Sequence, residues 1–398
     1  MRPVVLIYVD TVPPPRMPFV LSQTEALTRV DPYLVGIRRI SGDSRRIPTA
    51  NVFAINNMSG MAGKIREAPF RRFGIAPFFR RRIRRLHPVL LHAHSGFAGV
   101  TALGLAEWLG IPLLTTFHGR DATITTCVER EPDYDFCKYT CRRSILARRG
   151  DLFIAVSRFM KDKMLELGFP EEKIVVHYTG VDVDYFSPNP EVRREQIALF
   201  VGRLDEMKGC EDAILAMSKV QSALPEVEFV VIGDGVLRPG LERTAAEKLR
   251  RYRFLGTQPS DVVRHWMNRA RIFVVPSVTA SNGETETFGM VFAEAQAMKL
   301  PVASFASGGI PEAVEDGETG LLAKERDWQA LAHNMEVLFR NETMRLRMAE
   351  AGRLRVCSHF NLETQTIILE QIYFQMVSLG RQTASLEPEN IEHLARSN

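Results

Sequence analysis

The stretch ETETFGMVFAEAQAMKLPVASFASGGIPE, Glu284 to Glu312, decides the fold. It opens on acids and a turn, runs into an apolar, helix-like segment, and gives a strand that ends on a glycine pair. Strand-like RIFVVPS and the polar turn VTASNGET lead into it. Thr285 or Thr287 is placed to cap the helix, which is expected to start near Phe288, Gly289 and Met290. In a parallel α/β unit that start lies at the carboxyl end of a strand. Its unpaired backbone N–H groups then suit an anion, and Gly289 lets a ligand approach closely. Glu286 and Glu294 stand eight positions apart, a little over two helical turns and so on about the same side. Two readings follow: a capping acid plus a solvent-facing glutamate, or two carboxylates that accept hydrogen bonds from ligand hydroxyls. Glu294, among Ala293, Ala295 and Ala297, is expected to be partly buried and to need such partners.

The same alternation runs through the chain. Val4–Val9, Tyr33–Ile37, Val89–His92, Leu113–Phe117, Leu152–Val156 and Ile174–His177 read as strands, with Ala98–Leu109 and Arg158–Leu167 among the helices between them. The turn-rich GVDVDYFSPNPEVRREQ (Gly180–Gln196) reads as a linker. The pattern then restarts with IALFVGRL, FVVIGDG, YRFLG, RIFVVPS, PVASFASG and TGLLA as strands. Cys210–Leu224, Leu241–Leu249, Asp261–Ala270 and Thr287–Met298 are the intervening helices. The fold class is therefore α/β: two doubly wound, Rossmann-like domains with a cleft between them, ligands binding beyond the carboxyl ends of the strands. The expected boundaries are 1–185, 186–360, a C-terminal helix at 361–379 and a polar tail at 380–398.

A chain of 398 residues, 45% hydrophobic and 25% charged, is globular and long enough for two or three domains. The apolar run from Val89 to Phe117 is broken by His92, His94, Ser95, Glu107 and Pro112, so it is no membrane span. MRPVVLIYVDTVPPP suits a first strand better than a signal peptide, and five cysteines, an odd number unevenly spaced, suit reduced thiols in the cytoplasm. The net charge is +4, but nine basic residues crowd Lys64–Arg85 against the single acid Glu67. Phe70, Phe73, Ile75, Phe78, Phe79 and Ile83 are interleaved with them. A solvated helix face and an anionic lipid surface are both open readings. Nucleic acid ranks last, because no zinc-finger or aromatic RNA-binding motif accompanies the charge.

Two further constellations carry chemistry. In FVGRLDEMKGCEDAI a strand ends before Gly202 and Arg203, and Lys208 follows just ahead of a helix. A planar guanidinium and a mobile ammonium at such a turn suit a diphosphate, although ordinary surface charge explains either one alone. In TTFHGRDAT, His118 and Gly119 follow a strand of the first domain, with Asp121 close by.

These segments, with AVSRFMKDKMLELGFPEEKIVVHYTGVDVDYF and GRLDEMK, resemble the family 4 retaining glycosyltransferases, and the resemblance covers nearly the whole chain. It is densest from His118 to Leu322. It implies the GT-B fold, and within the family the chain looks closest to bacterial exopolysaccharide and lipopolysaccharide enzymes. It also implies roles. Glu286 lies against hydroxyls of the donor sugar and Glu294 binds the nucleotide ribose. Arg203 and Lys208, beside Gly202, hold the diphosphate. The amides of Phe288, Gly289 and Met290 contact phosphate or sugar, and His118 reaches toward the reaction centre. The C-terminal helix is expected to pack back on the first domain. One departure stands out: where many members carry a Gly-Gly loop after the first strand, this chain has VDTVPPPRMPFVLSQTEAL, so acceptor contacts there do not transfer.

Rival readings fare worse. No G-x-G-x-x-G follows a strand, which argues against a nicotinamide enzyme. The D-x-D matches at Asp182–Asp184 and Asp133–Asp135 are at chance level, and the former falls in the linker. Cys127, Cys137 and Cys141 lack a fourth zinc ligand. The expectation is a metal-independent retaining hexosyltransferase without cofactor. It would move a sugar from a nucleotide-diphosphate sugar to a saccharide, lipid-linked acceptor, in the cytoplasm and peripherally at the inner membrane face. A nucleotide-sugar epimerase or hydrolase, or a non-catalytic nucleotide-binding subunit of a membrane assembly, are the alternatives.

Overall fold

The structure, a computed structural model, describes residues 2–14, 17–40, 47–57, 63, 65, 67, 69–70, 76–124 and 134–380. The described residues divide into two compact units. One takes the chain to Ala122, resumes as far as Gly180 and is completed from Leu362 onward; the other takes Val181–Asn361.

The first unit is built on a parallel sheet ordered β2 (Thr11–Val12), β3 (Asp31–Arg39), β1 (Val4–Tyr8), β5 (Leu90–His94), β6 (Leu113–Phe117), β7 (Leu152–Ala155) and β8 (Ile174–Val176). A further strand, β4 (Val52–Asn56), pairs with β3. The short strands β2 and β4 carry no sequence signal strong enough to announce them; their pairing with β3 makes them strands. Side chains alternate between faces, and both faces are buried. Leu6 and Tyr8 join one apolar cluster with Leu91, Ala93 and Leu113, whereas Val5, Ile7 and Val9 join another with Leu90, Leu114 and Ile154. Burial on both faces is why these strands read as continuous apolar runs. The helix Leu362–Leu379 covers the second face through Leu369, Ile372, Tyr373 and Met376. Glu370, fully buried on this helix, accepts from the backbone N–H groups of Thr28 at 2.8 Å and Arg29 at 2.5 Å.

The second unit has a parallel sheet ordered β11 (Tyr252–Phe254), β10 (Glu228–Ile232), β9 (Ile197–Val201), β12 (Ile272–Val274), β13 (Val302–Phe305) and β14 (Gly320–Ala323). The order reverses direction beside β9, so the loops after β9 and β12 open at a topological switch point, where α/β sheets bind ligands. The turn-rich stretch from Gly180 is no loose linker. Val181, Val183 and Phe186 are buried, and the Arg353 guanidinium holds the Phe186 carbonyl at 2.7 Å. Asp182 spends its carboxylate on the N–H groups of Asp184 and Tyr185, at 3.2 and 2.9 Å, so this D-x-D element shapes a turn.

In the basic stretch, Phe79 and Ile83 of the helix Pro77–Arg84 and Phe70 are core residues, while Phe78 is 91% exposed. Arg81, Arg82, Arg84 and Arg85 are exposed. Lys64, Arg66, Arg71, Arg72, Phe73 and Ile75 lie outside the described residues, as do Cys127, Asp133 and the tail 381–398. Cys137 and Cys141 are exposed free thiols.

Candidate active site

The second unit brings the two charged constellations together. After β9, Gly202 and Arg203 lead into the turn Glu206–Lys208, which Asp205 caps by accepting from the Lys208 N–H at 3.3 Å. Gly209 follows at φ +63°, and a Cβ there would meet the Pro276 carbonyl oxygen at 1.9 Å. This close approach seats Lys208 against the loop that leaves β12. The Lys208 ammonium pairs with the Glu286 carboxylate, and both side chains are largely buried, 13% and 11% exposed. Arg203 Nη2 pairs with Glu284 Oε1 at 3.0 Å and with Asp205 Oδ2 at 3.1 Å. Two cations that sequence spacing linked to an anion are thus each already matched by a carboxylate.

The helix Met290–Ala297 begins at Gly289, φ +79°, with no side-chain cap. This corrects the capping role expected of Thr285 or Thr287. The chain turns through Gly289, so the threonines stand too far upstream, and the Thr285 hydroxyl is buried with no hydrogen-bond partner. The N–H groups at this helix start are therefore left to backbone, solvent or a ligand. Phe288 is buried against Phe360, ring centroids 4.9 Å apart. Glu294 is half-buried, and loss of solvent pushes its carboxyl up to about 7. The glycine pair that ends β13 closes on the same loop. Gly309 N–H donates to the Glu286 carbonyl at 2.9 Å, and a Cβ on Gly308 would sit 2.1 Å from that oxygen.

The first unit presents a different arrangement. His118 follows β6, and Asp121 fixes the backbone beside it, accepting from Gly119 N–H at 2.9 Å and from Gly96 N–H at 2.7 Å. Burial raises the Asp121 carboxyl pKa, partly offset by these backbone donors. The His118 ring packs on Phe19, centroids 5.1 Å apart, and its Nε2 lies 3.1 Å from His94 Nδ1. His94 lies against His92 at 4.1 Å between centroids, with the ring planes tilted by 34°. His92 in turn is held by the Tyr373 hydroxyl and the Thr116 hydroxyl, both at 2.7 Å. Desolvation lowers the pKa of all three rings, so they are neutral at pH 7.

Sequence reasoning named Gly202, Arg203, Lys208, Glu286, Phe288, Gly289, Met290, Glu294 and His118, and the structure groups the first eight around one pair of loops. It missed Glu284, the Gly308–Gly309 pair and His94. A signal for His94 existed: His92 and His94 are two apart on a strand and share a face. Among the described residues no group of His, Cys, Asp and Glu is arranged to hold a metal ion, and no helix is long and apolar enough to cross a membrane.

Known proteins supply the next observation. Residues 41–185 match the model of "Glycosyltransferase Family 4", and residues 184–355 that of "Glycosyl transferases group 1". The putative colanic acid biosynthesis glycosyltransferase WcaL of Salmonella typhimurium is 33% identical over 308 residues, covering 74% of this chain and 69% of that protein. The chain belongs to glycosyltransferase family 4. A second relative of this family 4 chain, the amylovoran biosynthesis glycosyltransferase AmsK of Erwinia amylovora, is 31% identical over 274 residues, with 67% and 65% coverage. The family 4 chain therefore spans about two thirds of the length of these curated relatives. Anabaena Alr3699/HepE, solved in complex with UDP and glucose, superposes with a TM-score of 0.71 over 93% of this chain and 98% of its own, at 19% identity. That likeness establishes the fold, GT-B, for the family 4 chain.

Proposed function

We propose that this family 4 protein transfers a hexose, with retention of configuration, from a nucleotide-diphosphate sugar to a lipid-linked saccharide acceptor in surface polysaccharide assembly. The observation that carries the proposal is the meeting of Arg203, Lys208, Glu284 and Glu286 beside the uncapped start of Met290–Ala297. A diphosphate would draw Lys208 and Arg203 away from their carboxylates and take the helix N–H groups. Glu286, released from Lys208, would then accept from sugar hydroxyls, and Glu294 from the ribose. Positive charge placed where the leaving diphosphate gains negative charge is the main source of acceleration. The leaving phosphate serves as base toward the incoming hydroxyl, so no protein nucleophile, cofactor or metal is required. For His118 the proposed role is at the transferred sugar. The biosynthetic relatives and the UDP and glucose complex of HepE support this reading.

The test is a thermal-shift screen of the whole protein against nucleotide sugars, then transfer assays with the donor that binds and anomeric assignment of the product by NMR. An α-configured product from an α-donor is expected. Release of free sugar with no acceptor requirement would replace the proposal with an epimerase-hydrolase, and binding without turnover on any acceptor with a nucleotide-binding subunit.

The acceptor's lipid places the protein at the cytoplasmic membrane face, and the helix Pro77–Arg84 is the part suited to meet it. Phe78 is exposed beside Arg81, Arg82 and Arg85, each cation adding about 1 kcal/mol near an anionic surface. Sedimentation with anionic vesicles should weaken when these three arginines are replaced by glutamine; unchanged sedimentation rejects the membrane role.

A further inference from the structure

We infer that His94 is a positioning residue for His118, holding its ring and fixing which of its nitrogens carries the proton through the Nδ1–Nε2 contact at 3.1 Å. The inference rests on the proposed role of His118 at the donor sugar, and it adds a residue outside the quoted motifs.

His92, His94 and Thr116 sit on neighbouring strands in register, His92 opposite Leu114 and His94 opposite Thr116, and alternation puts all of them on the face covered by Leu362–Leu379. His118 comes two residues after Thr116 and continues that row. Burying polar rings under an apolar helix is costly unless each finds a partner. His92 finds two, in Tyr373 and Thr116, so its ring is fixed at both nitrogens. His94 packs against this fixed ring, its plane tilted by 34°, and lies nearly parallel to His118, 12° between planes. Asp121 pins the backbone on the far side of His118 by binding Gly119 N–H.

Two neutral imidazoles that meet nitrogen to nitrogen share one proton. Whichever ring donates, the other must accept, so the tautomer of His94 dictates that of His118. A ring that donates and a ring that accepts recognise sugar hydroxyls differently, and a group at a reaction centre must be held to within about 0.5 Å. His94 supplies both constraints from a rigid strand.

The experiment uses the full-length protein with nitrogen-15-labelled histidine. Asparagine carries an amide nitrogen at the place of Nδ1, glutamine carries it one bond further out, and phenylalanine removes it. Two-bond proton–nitrogen correlations, with His118→Ala to assign the His118 signals, should show one tautomer in the wild type. His94→Asn should keep a single tautomer, while His94→Phe and His94→Gln should give a mixture. His94→Gln also carries the test if His94→Phe does not fold. With the nucleotide sugar found by the screen, the disruptive variants should lose about tenfold or more in kcat with KM within about twofold, and His94→Asn should recover most of it. An unchanged His118 pattern in both disruptive variants overturns the inference. So does a rate loss in His94→Asn as large as in the other two. Full activity in His118→Ala would instead sink the proposed role of His118, whatever the spectra of the His94 variants show.

Discussion

At the strand ends of the first unit the polar side chains are neutral rings, and at those of the second they are paired ions. His92, His94 and His118 are held by hydrogen bonds and ring contacts under a helix, and desolvation keeps them uncharged. Lys208 and Arg203 instead rest against Glu286 and Glu284. The first arrangement is preformed and has nothing to exchange. The second stores its charges in ion pairs, which on the proposed function a diphosphate would displace by offering both cations charge-assisted hydrogen bonds at once. On the proposed function, the paired ions are the groups that would exchange partners on binding a diphosphate, while the neutral rings keep a fixed geometry.

The largest effect is expected from breaking the buried ion pair. Lys208→Ala or Glu286→Ala should each lower transfer by about a hundredfold or more. Each strands a mostly buried charge, so unfolding free energy should drop by about 3–5 kcal/mol, and the double variant should cost less than the sum. Denaturant melts of the four proteins check this; near-wild-type turnover in either single variant would overturn the assignment. Gly308→Ala comes next, with φ +54° and a Cβ 2.1 Å from the Glu286 carbonyl oxygen. It should cost about 1–3 kcal/mol and weaken nucleotide binding while leaving the histidine signals of the first unit in place.

Acidity separates the units further. Glu294, with its carboxyl near 7, accepts more strongly as a carboxylate, so on the proposed ribose contact ligand binding should release a proton. Nucleotide affinity should then fall by up to about tenfold per pH unit below that value, and Glu294→Gln should flatten the titration measured by calorimetry. In the first unit the same cause, burial, shifts the groups the other way. His177, at about 4, and its neighbours bind protons less tightly folded than unfolded. Stability therefore falls as pH drops below the unfolded histidine value of about 6.5 and continues to fall toward 4, which a melting series across that range would show. The smallest effect belongs to Tyr373→Phe. It removes one hydrogen bond from His92 and should cost about 1 kcal/mol, with a melting shift and little change in kcat.

Much of the fold was legible because parallel strands buried on both faces must be apolar runs. Leu113–Phe117 was read residue for residue, and Ile197–Val201 and Cys210–Ala223 lie within one or a few residues of their expected bounds. The charged site was legible in part. Arg203, Lys208 and Glu286 announce themselves by type and by their place at strand-to-helix turns, but Glu284 looked like an ordinary loop acid. Its role depends on the turn at Gly283 and on where Arg203 reaches, and neither is encoded locally. The helix cap was misplaced because a threonine near a helix start is a statistical signal, whereas Gly289 at positive φ fixes where the helix begins.

Sequence alone determined the alternation of strands and helices, the two α/β units, the family and the residue types available for a diphosphate. Those follow from periodicity and side-chain chemistry, which are properties of short segments. Tertiary structure decided which cation meets which carboxylate, which imidazole faces His118, and how Gly308 and Gly309 close on Glu286. These depend on crossover connections that bring together side chains tens to hundreds of residues apart, as Lys208 with Glu286 and His92 with Tyr373. Contacts made at that separation are set by how the whole sheet packs and leave no mark in the spacing of nearby residues.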